Sequence, residues 1–334
     1  MPVAFVSDPC FVDHDTGPHH PERPDRIRAI HRALRQAKLI DSPDPFPDFQ
    51  IDLGLLENPG IKLIEISPTP ADEKYLSLVH TPQHINHIRQ ICAHGGGVLD
   101  QADTPVAANG FDMGLLSLGS ALTACDAVMK GNASRAFSAS RPPGHHAEPD
   151  RPMGFCLFSN IAIAARYMQQ TYGLKKIAIV DFDVHHGNGT QAALEFDPSI
   201  LFVSLHQHPA TLYPGSGHAW ETGIGPGRGF TMNLPFNPGD GDDEYLDAIQ
   251  NRILPTLAQF HPELLMISAG FDAHRDDPLA QIQLSESGFE QITKQLVTSA
   301  NQLCNGKIVS LLEGGYNLRA LARSVVRHLI ALSE

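Results

Sequence analysis

Four apolar runs in this chain each break off into residues that can do chemistry. Arg135–Ser140 leads to Arg141-Pro142-Pro143-Gly144-His145-His146, and Ile177-Ala178-Ile179-Val180 leads to Asp181, Asp183, His185 and His186. Leu264–Ser268 leads to Gly270-Phe271-Asp272, and Lys307–Leu312 to Glu313-Gly314-Gly315-Tyr316. Short apolar runs bounded by turn residues read as buried strands, and strands buried on both faces belong to a parallel sheet. Parallel strands place all their C-terminal ends on one edge, which is where ligands bind in open α/β sheets. The four clusters, from His145 to Tyr316, can therefore meet at one place.

The rest of the chain fits that frame. Pro2–Ser7, Ile61–Ile66 and Ile200–Leu205 read as further strands. Helical spacing runs through Arg26–Lys38, Leu76–Ile91, Gly114–Met129, Leu157–Tyr172, Gln191–Phe196, Tyr245–Phe260, Ser287–Leu303 and Arg319–Leu332. Asp41–Asp52, His94–Gly110 and His208–Gly229 read as loops. Strands alternating with helices predict one α/β domain over residues 1–334, with a mainly parallel central sheet, helices on both faces and long loops at the strand C-terminal edge.

Composition narrows the function. A formal charge of −13 argues against a nucleic-acid surface, which needs clustered Lys and Arg; it would suit a cationic substrate, although many soluble proteins are simply acidic. Cys10, Cys92, Cys125, Cys156 and Cys304 are scattered, with no CxxC pair. That pattern predicts a reducing, cytoplasmic setting, without a disulfide framework or a Cys-type zinc site. MPVAFVSDPC lacks the basic and apolar regions of a secretion signal, and no apolar run nears 18 residues, so no membrane association is expected.

Asp183 and His185 lie two apart and share a face if the strand continues through them. They make two-thirds of an open metal site, with Asp272 as the best candidate for the third ligand. Two carboxylates and one imidazole suit Zn²⁺, Fe²⁺ or Mn²⁺. His186 alternates to the other face and is expected to support or pack outside the metal's coordination sphere. His145 and His146 would make a base and acid pair beside a metal-bound water, with Asp181 and Asn188 as partners that set their tautomers. Two glycines before Tyr316 would let its phenol reach a developing oxyanion. Phe155, after Met153-Gly154, and Tyr213 sit in loops and could wall an apolar channel. Each residue has a blander reading (a helix cap for Asp272, a surface loop for His145-His146, a packed aromatic for Tyr316), but convergence of the strand ends favours one shared site. No Walker loop, GxSxG elbow or HExxH motif is present.

Six stretches in order resemble the histone deacetylase family, in its class II-like and bacterial amidohydrolase branch: HPERPDRIRAI, RPPGHHAEPDRPMGFCLFSN, VDFDVHHGNGTQ, SLHQHPATLYPGSG, SAGFDAHRDDPL and LEGGYNL. The resemblance runs from about Phe5 to the closing helix. It implies the arginase/deacetylase fold and zinc-dependent removal of an acyl group, chiefly acetyl, from an acylated amine such as Nε-acyl-lysine. By motif match, Asp183, His185 and Asp272 hold one Zn²⁺, with Fe²⁺ as the alternative. His145 and His146 match the tandem histidines, His146 being the expected base, and Tyr316 matches the tyrosine that polarises the acyl carbonyl. Asn188 stands where class I members carry Asp. A structural K⁺ is implied at Asp181, Ser204 and the backbone carbonyls of Asp183, His185 and Leu205. Gly154, Phe155, Tyr213 and Leu279 match the acyl-lysine tunnel, and Asp103 is the candidate carboxylate for the substrate backbone. The partner implied is an acylated amine, peptide or small molecule, and homo-oligomers are open.

A binuclear manganese ureohydrolase would need metal ligands where this chain has Gly187 and His274. An acetylpolyamine hydrolase of the class IIb type carries Glu where Leu279 stands, although a bacterial polyamine branch uses other carboxylates. An inactive acyl-lysine-binding protein conflicts with the filled catalytic positions.

Overall fold

The computed structural model describes residues 1–100 and 103–334. Its strands are β1 (Val3–Val6), β2 (Ile64–Ile66), β3 (Gly96–Leu99), β4 (Thr104–Ala107), β5 (Arg135–Ser138), β6 (Ile177–Asp181), β7 (Ile200–Gln207), β8 (Thr231–Phe236), β9 (Leu264–Ala269) and β10 (Ile308–Leu312). The helices are α1 (Asp25–Gln36), α2 (Pro82–Ala93), α3 (Gly110–Met129), α4 (Asn160–Tyr172), α5 (Asn188–Leu194), α6 (Asp242–Ala248), α7 (Leu254–Phe260), α8 (Glu286–Leu303) and α9 (Leu318–Leu332).

Eight strands form one sheet in the order β2-β1-β5-β10-β9-β6-β7-β8, and every pairing is parallel. The strands that end in the four polar clusters, β5, β10, β9 and β6, are therefore consecutive neighbours. All four are buried along their whole length. Successive side chains alternate between two apolar layers. Phe137, Ala178, Val180, Leu265 and Ile267 face the layer built with α1, α8 and α9. Ala136, Ile177, Ile179, Leu264 and Met266 face the layer built with α3 and α4. A sheet buried on both faces has its polar ligands only at its edge.

The structure departs from the sequence reading in four places. His94–Gly110 is not a plain loop: β3 and β4 pair antiparallel within it, with Gly96 opposite Ala107. A Cβ on Gly96 would lie 2.4 Å from the Val106 carbonyl, so the glycines that suggested a loop instead permit close pairing. The strand β8 was not expected, because Pro235 interrupts its pattern; it lies at the sheet edge, where proline is tolerated. Leu76–Ile91 divides into a 3-10 turn at Glu73–Leu78 and α2, which starts at Pro82 after the Thr81 side chain accepts from the His84 N–H. The helix expected over Tyr245–Phe260 begins at Asp242 and carries a π-turn at Ile249–Ile253 between α6 and α7.

By length and composition α3 could cross a membrane, yet most of it is buried inside the protein as a core helix. Its Gly119 meets the segment before it in the chain: a Cβ there would lie 1.9 Å from the Thr69 carbonyl oxygen and 2.8 Å from the Ala71 nitrogen. Alanine in a helix interior is worth up to about 1 kcal/mol over glycine, whereas forcing a methyl into packed backbone costs about 1–3 kcal/mol. The contact should win. Gly119→Ala is expected to destabilise the protein in urea unfolding, and a stabilised variant would show that the segment yields freely.

Candidate active site

Just past β6 the chain places Asp183 and His185 together, and Asp272 joins them from the end of β9. One ligand atom from each of the three lies within 4.8 Å of the others, and all three residues are buried. His185 Nδ1 is 3.0 Å from Asp183 Oδ1 and 3.2 Å from Asp272 Oδ2. Backbone donors satisfy the outer oxygens: Gly314 N donates to Asp183 Oδ2 at 2.8 Å, and Val184 N to Asp272 Oδ1 at 3.0 Å. Asp272 Oδ2 has no directed hydrogen bond. Two buried carboxylates and an imidazole with their free ligand atoms turned toward one another are a donor set that fits a cation such as zinc. The close approach depends on two glycines. A Cβ on Gly270 would lie 2.0 Å from Asp183 Oδ2, and one on Gly314 2.0 Å from Asp272 Oδ2.

The loop after β5 brings His145 and His146 to the same point, their rings 4.0 Å apart between centroids. His145 Nδ1 meets Asp181 Oδ2 at 3.0 Å, and His146 Nδ1 meets Asn188 Oδ1 at 2.7 Å. Asn188 Nδ2 donates to Glu148 Oε1 at 2.8 Å, which turns its oxygen toward His146. His146 Nδ1 is then the donor, and Nε2 carries the lone pair. The two imidazoles are driven apart. Burial disfavours charge on His145, but Asp183 and Asp181 outweigh it and raise the pKa to about 10. Burial, with His145 and His185 nearby, holds His146 well below the ordinary imidazole value.

A cavity of about 620 Å³ opens above this cluster. His146 and His185 are on its floor, Gly154, Phe155, Tyr213 and Tyr316 form walls, and Leu279 and Asp103 also line it. The residues expected to make the tunnel are thus brought together. Gly154 touches the His146 ring, where a Cβ would lie 2.3 Å from Cδ2. The Phe155 and Tyr316 rings are 6.0 Å apart, and Tyr213 is 5.2 Å from the His146 ring. Below the site Asp181 and Ser204 pair in register on β6 and β7, so their side chains share a face, with Leu205 next along β7. Ser204 Oγ bonds His206 Nδ1 at 2.8 Å.

A match to the histone deacetylase domain covers residues 20–332. The chain belongs to the histone deacetylase family. A histone deacetylase-like amidohydrolase of Pseudomonas aeruginosa is 41% identical over 317 residues, spanning 94% of this chain and 82% of that protein. A probable deacetylase of Archaeoglobus fulgidus is 36% identical over 318 residues, spanning 95% and 82%. The crystal structure of the HDA15 HD domain superposes with a TM-score of 0.87 at 35% identity, covering 100% of this chain and 90% of that one. The protein is accordingly a hydrolytic enzyme of the deacetylase and amidohydrolase type, with the α/β fold of its family.

In this deacetylase His186 lies past the end of β6, where strand alternation no longer applies, and its ring nitrogens are taken by partners outside the ligand triad. It bonds Ser216 Oγ at 2.9 Å and Gln191 Oε1 at 2.9 Å, and so holds the loop that carries Tyr213. His274 has other neighbours: its Nδ1 accepts from Asp276 N at 3.0 Å, and its Nε2 lies 3.4 Å from Glu286 Oε2. Sequence reasoning missed several supporting residues. Asp100 and Arg151 stand at the cavity beside Asp103. Asp277 Oδ2 accepts from Tyr316 N at 2.7 Å and Asn317 N at 3.2 Å, while its Oδ1 accepts from Leu279 N at 3.1 Å. Glu22, Arg26 and Arg141 form a fully buried ion cluster. Arg141 Nη2 donates to Glu22 Oε2 at 2.7 Å, and Arg26 Nε to the Gly315 carbonyl at 2.7 Å. The available signal was that Arg141, Arg151 and Asp277 share a stretch with candidate bases or a candidate ligand, and that Glu22 and Arg26 lie in another of the six stretches; nothing marked Asp100.

Burial alone would raise the Glu22 carboxyl, but Arg141 and Arg26 reverse it and hold it at about 2. A depressed carboxyl contributes its full stability above the ordinary value of 4.5 and loses it as pH falls toward 2. Glu22→Gln would leave two buried guanidinium groups without a counter-ion, a loss of about 3–5 kcal/mol at neutral pH. Its unfolding free energy should also vary less than wild type's between those two pH values. Equal slopes in urea melts across that window would show that Glu22 does not carry the acid sensitivity.

Proposed function

We propose that this enzyme hydrolyses the amide of an Nε-acyl-lysine side chain, with one zinc ion held by Asp183, His185 and Asp272. The observation that carries the reading is the buried triad of Asp183, His185 and Asp272, with one ligand atom of each within 4.8 Å of the others and His185 lining an aromatic-walled cavity. Bound there, zinc would supply Lewis-acid activation of the acyl carbonyl and of a water.

The protein's own residues do the rest. Phe155 and Tyr213 flank the alkyl chain and keep bulk water from the amide. His146, held as the Nδ1–H tautomer by Asn188, accepts a proton from the attacking water at Nε2. His145 and Asp181 form the charged half of the pair, and the imidazoles return a proton to the leaving amine. The Tyr316 hydroxyl donates to the acyl oxygen as negative charge develops on it. Asp103 accepts from backbone N–H groups of a peptide substrate. Asp181, Ser204 and the carbonyls of Asp183, His185 and Leu205 would hold a structural potassium ion.

A second reading, a small acylated polyamine, draws support from Asp100 and Asp103 together at the cavity and from the charge of −13. Apolar Leu279 in the same lining opposes it. Parallel turnover assays on an acetyl-lysine peptide and an acetylated polyamine separate the two, and a higher kcat/KM for the peptide is expected. Tyr316→Phe should lower kcat roughly 10²–10³-fold, the cost of losing one oxyanion donor, with zinc content unchanged. Near-normal turnover by that variant refutes the tyrosine's role. Chelation should abolish turnover and readdition of one zinc per chain restore it; a requirement for two metals would revive the binuclear alternative.

A further inference from the structure

We propose that Glu313 is a positioning residue for the tandem histidines, gripping their loop from the end of β10. The proposal rests on the reading of His145 and His146 as the acid–base pair. Glu313 is 1% exposed, and its Oε2 accepts from Gly144 N at 2.7 Å and from His145 N at 3.1 Å. Two successive backbone donors thus converge on one oxygen. The loop is pinned on its other sides as well. A Cβ on Gly144 would lie 2.6 Å from Asn160 N, at the start of α4, and Thr190 N donates to the His145 carbonyl at 3.1 Å. Of these restraints, the Glu313 carboxylate reaches the loop from the segment after β10 that also carries Tyr316.

The backbone of Glu313 is fixed too. Its N–H donates to the Ala269 carbonyl on β9 at 3.0 Å, and its own carbonyl accepts from Arg26. The next residue, Gly314, donates to Asp183. One short segment therefore sets a metal ligand, the histidine loop and Tyr316 relative to one another. A stability role alone does not require an acid here, since burying a carboxyl is costly and an apolar side chain could fill the space. Burial raises this carboxyl to about 7, so Gln, which keeps an oxygen at the same reach, is a near replacement. Asp keeps the acid but is one methylene shorter.

The test compares Glu313→Asp, Glu313→Gln and His146→Ala in the full-length zinc-loaded protein, measuring kcat and KM on an acetyl-lysine peptide, zinc per chain and thermal midpoint. Glu313→Asp should lower kcat roughly 10–100-fold, the scale of a displacement near 1 Å, with KM and zinc content little changed. Glu313→Gln should restore kcat to within a few-fold of wild type. Wild-type kcat in Glu313→Asp, or a Glu313→Gln variant as slow as Glu313→Asp, overturns the proposal. Failure of both variants to fold also overturns it, by making Glu313 purely structural. An active His146→Ala protein would instead overturn the acid–base reading itself, whereas an inactive one beside an active Glu313→Asp removes only the positioning role.

Discussion

Everything at the C-terminal edge of the sheet depends on keeping Asp181, Asp183 and Asp272 buried side by side. Two like charges about 4 Å apart repel by roughly 4 kcal/mol at an effective dielectric near 20. A hydrogen bond to a charged group returns about 1.5–3 kcal/mol. Asp183 receives backbone N–H groups from His185 and Gly314, Asp272 one from Val184, and Asp181 one from Asp183. Those bonds, with the His145 and His185 imidazoles beside the carboxylates, offset much of the repulsion. A divalent cation bound there, as proposed, would offset what remains. The same constraint accounts for Gly270 and Gly314, because any side chain there would occupy the space of the carboxylates.

A second layer of buried charge holds the moving parts in register. Glu22 and Arg141 fix the segment leading to the histidines, and Arg26 holds the carbonyl of Gly315 and lies 5.3 Å from the Tyr316 ring centroid. Asp277 ties the backbone of Tyr316 to that of Leu279. Buried ion pairs are poor sources of net stability, since desolvation offsets much of their attraction. Their value here is geometric: each side chain has several directed bonds and so a single placement. An apolar filler would satisfy the core without fixing where a phenol or an imidazole ends up.

How much of this the sequence carries follows from how local each signal is. Asp183, His185, Asp272, His145 and Tyr316 stand at the ends of apolar runs, and parallel pairing puts such ends on one edge of the sheet whatever the strand order. The order itself is not local, and only the structure shows β5, β10, β9 and β6 as neighbours. Glu313, Asp277 and Asn188 illustrate the other limit. Glu313 and Asp277 bond backbone N–H groups, which every residue but proline possesses, so no residue type marks their targets. Asn188 was marked as a histidine partner by its nearness to the ligands, but its orientation depends on Glu148, which nothing in the spacing singles out. The hairpin β3–β4 and the strand β8 escaped for a different reason, because glycine and proline are read as breakers when they occur at close pairings or edges.

The asymmetry of the histidine pair is where fold and chemistry meet most closely. The two rings are adjacent in the chain and nearly in contact, so sequence position alone makes them equivalent. Their partners do not. Asp181, charged and buried, favours the imidazolium form of His145, and a charged His145 in turn disfavours a second charge on His146. Asn188 offers an oxygen and no charge, so it fixes the tautomer of His146 without raising its basicity as a carboxylate would. A cation on Asp183 and Asp272 would weaken the pull of Asp183 on His145 while leaving the Asn188 bond untouched. The metal would therefore lower both basicities without exchanging the partners, and the lone pair of His146 Nε2 would remain at the cavity floor for the proposed proton transfer from water.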